Sequence, residues 1–189
     1  MEEVSFENKE SYTDEKIAEL VSLGQEDYFG ILIDRYKAKM LRYARKFLFD
    51  ESSAEDLVQD VFVNAYINIK GFDVSRKFSP WLYRIAHNAY VNEIKKRNKN
   101  PLVFFDIDVF LPHQSFKENS MNEVENEEIK RELEACIDKI DIKYREALIL
   151  CYFEGLSYKE IAEVLHISIS AVGVRINRGK KAIKKDFKI

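Results

Sequence analysis

Gly155-Leu156-Ser157-Tyr158-Lys159-Glu160-Ile161-Ala162-Glu163-Val164-Leu165-His166-Ile167-Ser168-Ile169-Ser170-Ala171-Val172 decides the fold of the C-terminal block. Ser157 with Glu160 three residues on has the form of a capping box, in which each side chain satisfies an N–H left open at a helix start. Ile161, Ala162 and Leu165 then share one face at helical spacing. His166-Ile167 supplies a turn, Ser168 a second N-cap, and Ile169, Val172 and Ile176 the inner face of a second helix. Small Ala162 lets the two helices cross closely. Two short helices about a tight turn, the second running into cations, are how a protein sets a helix N-terminus in a DNA major groove. The outward face predicted for the second helix is Ser170, Ala171, Gly173, Val174, Asn177 and Arg178. Arg175, Arg178, Lys180, Lys181, Lys184 and Lys185 approach phosphates. Ser157, Tyr158 and Lys159 join them as duplex contacts at the start of the first helix. Gly173 is a weak point, because glycine costs about 1 kcal/mol in a helix interior. His166 reads as a turn residue rather than a ligand.

The charge distribution agrees with a nucleic-acid role. The 189 residues carry a net charge of only −3, but the charge is segregated. Asn100 to Glu128 holds seven acidic residues against Lys117. Ala171 to Ile189 holds seven basic residues against Asp186. Such a separation is the electrostatic footprint of a nucleic-acid binder.

Helical periodicity and scarce glycine and proline predict an all-α fold of two small helical domains. The expected divisions are an N-terminal extension over 1–26, a first block over 27–99, a flexible acidic linker over 100–126 and a second block over 127–189. In the first block, Phe29, Leu32, Ile33, Tyr36, Met40, Ala44 and Phe47 form one helical stripe. Ser52 to Glu55 offers a capping box for a second helix, whose stripe is Leu57, Val58, Val61, Phe62, Ala65 and Ile69, closed by Gly71. Ser79 is the expected N-cap of a third helix, with Pro80 in its first position and Leu82, Ile85, Ala86 and Ala89 inward. The linker is apolar at its start, between Pro101 and Pro112. Ile129, Leu133, Cys136, Ile137 and Ile140 open the second block.

The exposed faces predicted for the first block differ in chemistry. Asp56, Gln59, Asp60, Val63 and Asn64 make an acidic stripe on the second helix, which repels phosphate and suits a protein partner. Phe72, Phe78, Trp81, Tyr83, Arg84, His87, Asn88 and Tyr90 mix rings, amides and cations ahead of the basic run Lys95 to Lys99. Rings beside cations suit unstacked bases, each stack contributing about 1–3 kcal/mol. A helical aromatic stripe also serves as core, and part of these rings is expected there.

Other classes find little support. Cys136 and Cys151 sit in apolar helical patterns, and the sequence has neither a CxxC pair nor metal-ligand spacing, so no metal and no cofactor is expected. GxxxxGK[ST], GxGxxG and HExxH motifs are absent, and no nucleophile–base spacing points to an enzyme. The acidic N-terminus does not resemble a signal peptide and no run is long enough for a membrane span, so a soluble cytoplasmic protein without membrane insertion is expected.

Three motifs in order carry a resemblance: Ala54-Glu55-Asp56-Leu57-Val58-Gln59-Asp60-Val61-Phe62, then Phe78-Ser79-Pro80-Trp81-Leu82-Tyr83-Arg84-Ile85-Ala86-His87-Asn88, then Gly155 to Ala162. From about Asp27 to Lys185 the chain resembles bacterial sigma factors of the sigma-70 family, in the extracytoplasmic-function (ECF) group. The resemblance implies a transcription initiation factor with region 2 in the first block and region 4 in the second. It assigns Asp56, Leu57, Gln59, Asp60, Phe62 and Asn64 to a coiled coil of the largest subunit of core RNA polymerase, with the flap region as a further contact. It assigns Asn68, Phe72, the loop Asp73 to Lys77, Trp81 and Asn88 to the melted −10 element, where a non-template base is flipped out; Tyr83, Arg84, Lys95 and Lys96 complete that set. Ser170, Ala171, Gly173, Val174, Arg175, Asn177, Arg178 and Lys181 fall to the duplex −35 element. The acidic linker would thread through the polymerase, and an anti-sigma protein is a further partner of the family.

One departure bears on promoter choice. The family commonly shows Thr-Val-Lys/Arg-Ser-Arg in the reading helix, where this chain has Ala171-Val172-Gly173-Val174-Arg175. A cation and a hydroxyl are missing. The alternatives are an autonomous helix-turn-helix DNA-binding regulator, which leaves Trp81, Asn88 and the acidic stripe unexplained, and a helical adaptor indifferent to salt.

Overall fold

The computed structural model describes residues 11–46, 51–97, 136–137 and 139–186. Every regular element among them is helical, and the chain divides into two compact units, Met1–Arg97 and Asn98–Ile189. Phe47, Ile129, Leu133 and the whole stretch from Asn100 to Asn126 lie outside the described residues.

The first unit holds α1 (Asp14–Ser22), α2 (Phe29–Arg45), α3 (Glu51–Asn68) and α4 (Phe78–Arg97), with 3-10 turns at Glu26–Tyr28 and Ile69–Gly71. Helix α1 belongs to the same packed body rather than standing outside it as an extension. Thr13 caps it through Lys16 N, and Ile17, Ala18 and Val21 are buried. Its first turn ties two other helices. Asp14 pairs with Arg35 at 2.6 Å and accepts from the Tyr36 hydroxyl at 2.6 Å. Burial and then the Asp14 hydrogen bond push the Tyr36 phenol well above its ordinary pKa. Glu15 Oε1 accepts from Phe78 N at 2.9 Å. The first N–H groups of a helix have no intrahelical partner and favour an anion, so Glu15 caps α4 from 63 positions away.

The α2 core stripe is Leu32, Tyr36, Met40, Tyr43 and Ala44, all buried. Phe29, Ile33, Lys37 and Leu41, spaced by four, form a second stripe beside it. The α3 stripe expected from the sequence is buried throughout.

Two helix starts differ from expectation. Helix α3 begins at Glu51, so Ser52 and Ser53 lie inside the first turn and the proposed Ser52–Glu55 box does not cap it. Helix α4 begins at Phe78, so Ser79 is not its N-cap and Pro80 is its third residue. Pro80 is still accommodated, because its missing N–H falls among those with no intrahelical partner. Cap signals locate helix starts only to within a residue or two.

The second unit contains α5 (Ile142–Leu148), a π-helical turn (Ile149–Phe153), α6 (Tyr158–Leu165) and α7 (Ile169–Asp186). Asp141 caps α5 by accepting from Lys143 N. The π turn closes through Glu154 N to Ile149 O, and Leu156 N then bonds Leu150 O. Gly155 follows at φ 66°, a left-handed conformation that glycine adopts without strain.

The capping box of α6 is present in full: Ser157 Oγ accepts from Glu160 N, and Glu160 Oε2 accepts from Ser157 N at 2.8 Å. His166 ends α6 in the left-handed region, and Ser168 Oγ caps α7 by accepting from Ala171 N at 3.1 Å. Val172 and Ile176 are buried as expected. Ile169 is not: as the first residue of α7 it has little packed around it and is 53% exposed. Gly179 packs against α5, where an added Cβ would lie 2.6 Å from Leu148 Cδ1 and displace that side chain.

Candidate nucleic-acid and partner interfaces

On α3 a helical step of about 100° per residue separates three directions. Leu57, Val61 and Ala65 point to the core. Asp56, Asp60, Asn64 and Ile67 are exposed on one flank, and Glu55, Gln59 and Val63 are exposed on the other. The second flank faces the outer α2 stripe across a groove of about 590 Å³. Phe29, Ile33, Lys37 and Leu41 line one side, and Asp56, Gln59, Phe62, Val63 and Tyr66 the other.

The groove gathers Asp56, Gln59 and Phe62 from the set expected to meet the polymerase, while Asp60 and Asn64 continue the Asp56 row at steps of four, outside the groove lining. Leu57 is buried. Sequence reading missed the α2 wall. Its signal was the second four-residue stripe, which was merged with the core stripe. The surface is apolar with an acidic rim, and it can receive an apolar ridge carrying cations.

The aromatic face of α4 largely turns inward. Phe72, Phe78 and Trp81 form a cluster with ring centroids 5.2–5.5 Å apart, and Phe72 and Phe78 are buried. Tyr83 is 0% exposed against Tyr43, and Tyr90 lies against the same ring while donating to Met40 O at 3.2 Å. Tyr83 therefore leaves the set of base contacts. It lies two residues after Trp81, about 200° around the helix, on the side that packs against α2.

What remains outward on α4 is one coherent row. Trp81, Arg84, Asn88 and Lys95 recur at spacings of three, four and seven, and Trp81 and Arg84 are half-buried while Asn88 is exposed. Lys96 is exposed beside them and approaches Glu93 at 3.7 Å. Before α4, the loop presents Asp73, Val74, Ser75, Arg76 and Lys77 to solvent. Asp73 Oδ1 accepts from Ser75 N at 3.0 Å and Ser75 Oγ at 2.7 Å. These two hydrogen bonds hold the carboxyl below its ordinary pKa. Asn68 is exposed at the end of α3, where its Nδ2 donates to Asn64 O. The surviving face offers one large ring edge, an amide and cations, all reachable by an unpaired base.

Helix α7 buries Val172, Gly173, Ile176 and Gly179 and turns Ser170, Ala171, Val174, Asn177, Arg178 and Lys181 the other way. Gly173 is thus corrected from the outward face: it is buried, about 60° around the helix from Ile176. Arg175 is half-buried on a flank. At the head of the preceding helix, Ser157 and Glu160 are held in the capping box, while Lys159 is exposed and Tyr158 half-buried. Arg178 Nη1 donates to the Tyr144 hydroxyl at 3.1 Å, with its guanidinium 5.9 Å from that ring. A basic, small-residue face behind a capped turn is what a major groove admits.

The surfaces define a helical protein of two modules: one with a helix-turn-helix, the other with a partner groove and a polar aromatic row. The family described as Sigma-70 region 2 matches residues 32–100, and Sigma-70, region 4 matches 130–183. The chain is 35% identical over 176 residues to the ECF RNA polymerase sigma factor SigW of Bacillus subtilis, covering 89% of this chain and 93% of that one. It is 33% identical over 181 residues to the RNA polymerase sigma-H factor of Pseudomonas aeruginosa, covering 91% and 92%. Among solved structures it is similar to CnrH in complex with the cytosolic domain of CnrY, with TM-score 0.66, 27% identity and 92% and 96% coverage. The chain belongs to the ECF group of the sigma-70 family of RNA polymerase sigma factors.

Proposed function

We propose that the chain gives RNA polymerase its promoter choice through a division of labour between its two units. The α2–α3 groove and the exposed carboxylates Asp56 and Asp60 dock on the core enzyme. The row Trp81, Arg84 and Asn88, with the loop Asp73 to Lys77, takes up bases of the melted −10 strand. The α7 face from Ser170 to Lys181 reads the −35 duplex. Melting draws on the binding of unpaired bases, since the sequence has no nucleotide-hydrolysis motif. The chain acts in the cytoplasm, with no catalytic step of its own. Among the described residues no helix is long and apolar enough to cross a membrane.

The observation that carries this reading is the outward α7 face: Ser170, Ala171, Val174, Asn177, Arg178 and Lys181 converge on one side of a helix capped by Ser168. The −35 sequence it selects is expected to differ from the family's common one, because Ala171 and Val174 offer methyl groups where Thr and Ser are usual, and Gly173 stands where a cation is usual. Methyl-bearing side chains suit the C5-methyl of thymine. An anti-sigma protein is proposed as the inhibitory partner, competing with core enzyme for the α2–α3 surface. Run-off transcription with purified core polymerase on a promoter library tests the reading: start sites should share a −35 and a −10 element. Transcription from random positions would refute it.

A further inference from the structure

Tyr144 on α5 has been given no role so far, yet its hydroxyl accepts from Arg178 on the reading face of α7. The contact joins two helices across 34 positions. Arg178 stays exposed and Tyr144 is half-buried, so the ring is held by the fold while the guanidinium remains accessible. Lys143 Nζ lies 5.2 Å from the same ring, which adds positive charge beside the contact. An arginine on a solvent-facing helix samples many rotamers, whereas a bidentate contact with a guanine edge needs its planar fork in one orientation. A phenol oxygen that is held by the fold and accepts from Nη1 fixes where the guanidinium sits and limits how far it can turn.

We propose that Tyr144 is the positioning residue for Arg178, holding its guanidinium ready for a base edge in the −35 duplex. The proposal rests on the assignment of α7 to that duplex. Tyr152 provides an internal contrast. Lys180 Nζ lies 4.9 Å from its ring, but an ammonium is a point charge that needs no fixed plane, so the Tyr152 hydroxyl has no comparable task.

The test uses holoenzymes assembled from core polymerase and the full chain: wild type, Tyr144→Phe, Arg178→Ala, the double variant and Tyr152→Phe. Each is titrated with a duplex carrying the −35 element selected from a library by the wild type, and with a scrambled duplex of equal length, at two salt concentrations. Tyr144→Phe keeps the packed ring and removes only the acceptor, and a thermal melt verifies its fold. The expected result is a roughly fivefold loss on the selected duplex, the size of one oriented charged contact. The scrambled duplex and the salt slope should not change. In the Arg178→Ala background the Tyr144 change should have no further effect, and Tyr152→Phe should match wild type. Unchanged or tighter binding by Tyr144→Phe overturns the proposal, as does an equal loss on both duplexes or a loss that persists without Arg178. Arg178→Ala binding as tightly as wild type would remove the −35 assignment of α7, and Tyr144 with it.

Discussion

In the first unit, groups suited to nucleic acid grow out of the core; in the second, they are kept away from it. Trp81 packs at a tilt against Phe72 and Phe78, which are themselves buried, so the ring offered to a base is the outer edge of a packed cluster. Arg178 and Lys181 stand on a helix whose buried face is Val172, Gly173, Ile176 and Gly179, with none of the reading residues on that side. A surface continuous with a core can hold a flipped base rigidly, which suits capture of a melted strand. A surface of long cations around small residues can adapt to a groove, which suits a duplex.

The contrast predicts unequal consequences of mutation. The largest effect is expected inside the first unit. Tyr83→Ala empties a fully buried site against Tyr43 and should destabilise that unit by about 3–5 kcal/mol, as large-to-small aromatic changes do. Thermal melting reads it, and an unchanged melting temperature would return Tyr83 to the surface row. Next, Arg178→Ala should weaken −35 binding by about 1–3 kcal/mol if it makes a bidentate base contact, without altering the melt. Equal losses on every sequence would instead make Arg178 a phosphate contact.

A smaller effect is expected at the turn itself. Ser157→Ala removes one half of the α6 capping box and should cost about 1 kcal/mol of stability in the second unit, seen by denaturant titration. The smallest concerns the loop before α4. Ser75 holds the Asp73 carboxyl below its ordinary pKa, so the contribution of this turn is present above the unfolded carboxylate pKa and is lost as pH falls through the lowered folded value. In Ser75→Ala the Asp73 titration, followed by NMR, should move up toward the ordinary value. An unmoved titration would show that Ser75 is not the cause.

The same contrast explains what the sequence revealed. The second unit was legible because its signals are local: Ser157 with Glu160, Ser168 at the next cap and the basic run all act within a few residues. Gly173 and Ile169 were misplaced because the direction of a helix face depends on where the neighbouring helices pack, and α5 meets α7 at Gly179, well beyond both positions. In the first unit the aromatic row was legible only as a composition. A ring at 81 and a ring at 83 have equal claim to the surface until the angle of α4 against α2 is known. The groove wall of Phe29, Ile33, Lys37 and Leu41 was hidden for a similar reason, since two adjacent stripes on one helix merge into a single wide apolar face. Glu15 capping α4 joins distant parts of the chain and leaves no local mark.

Separating duplex reading from strand capture tests the division of labour most directly. Holoenzymes carrying Asn88→Ala or Arg178→Ala are compared on one promoter, with −35 duplex affinity and strand opening measured separately, the latter by a fluorescent base analogue in the −10 strand. Asn88→Ala should slow opening while leaving duplex affinity and core-enzyme binding near wild type, and Arg178→Ala should weaken duplex affinity while a pre-melted −10 strand is still captured. Both variants failing at the same step, with the same loss, would contradict the division.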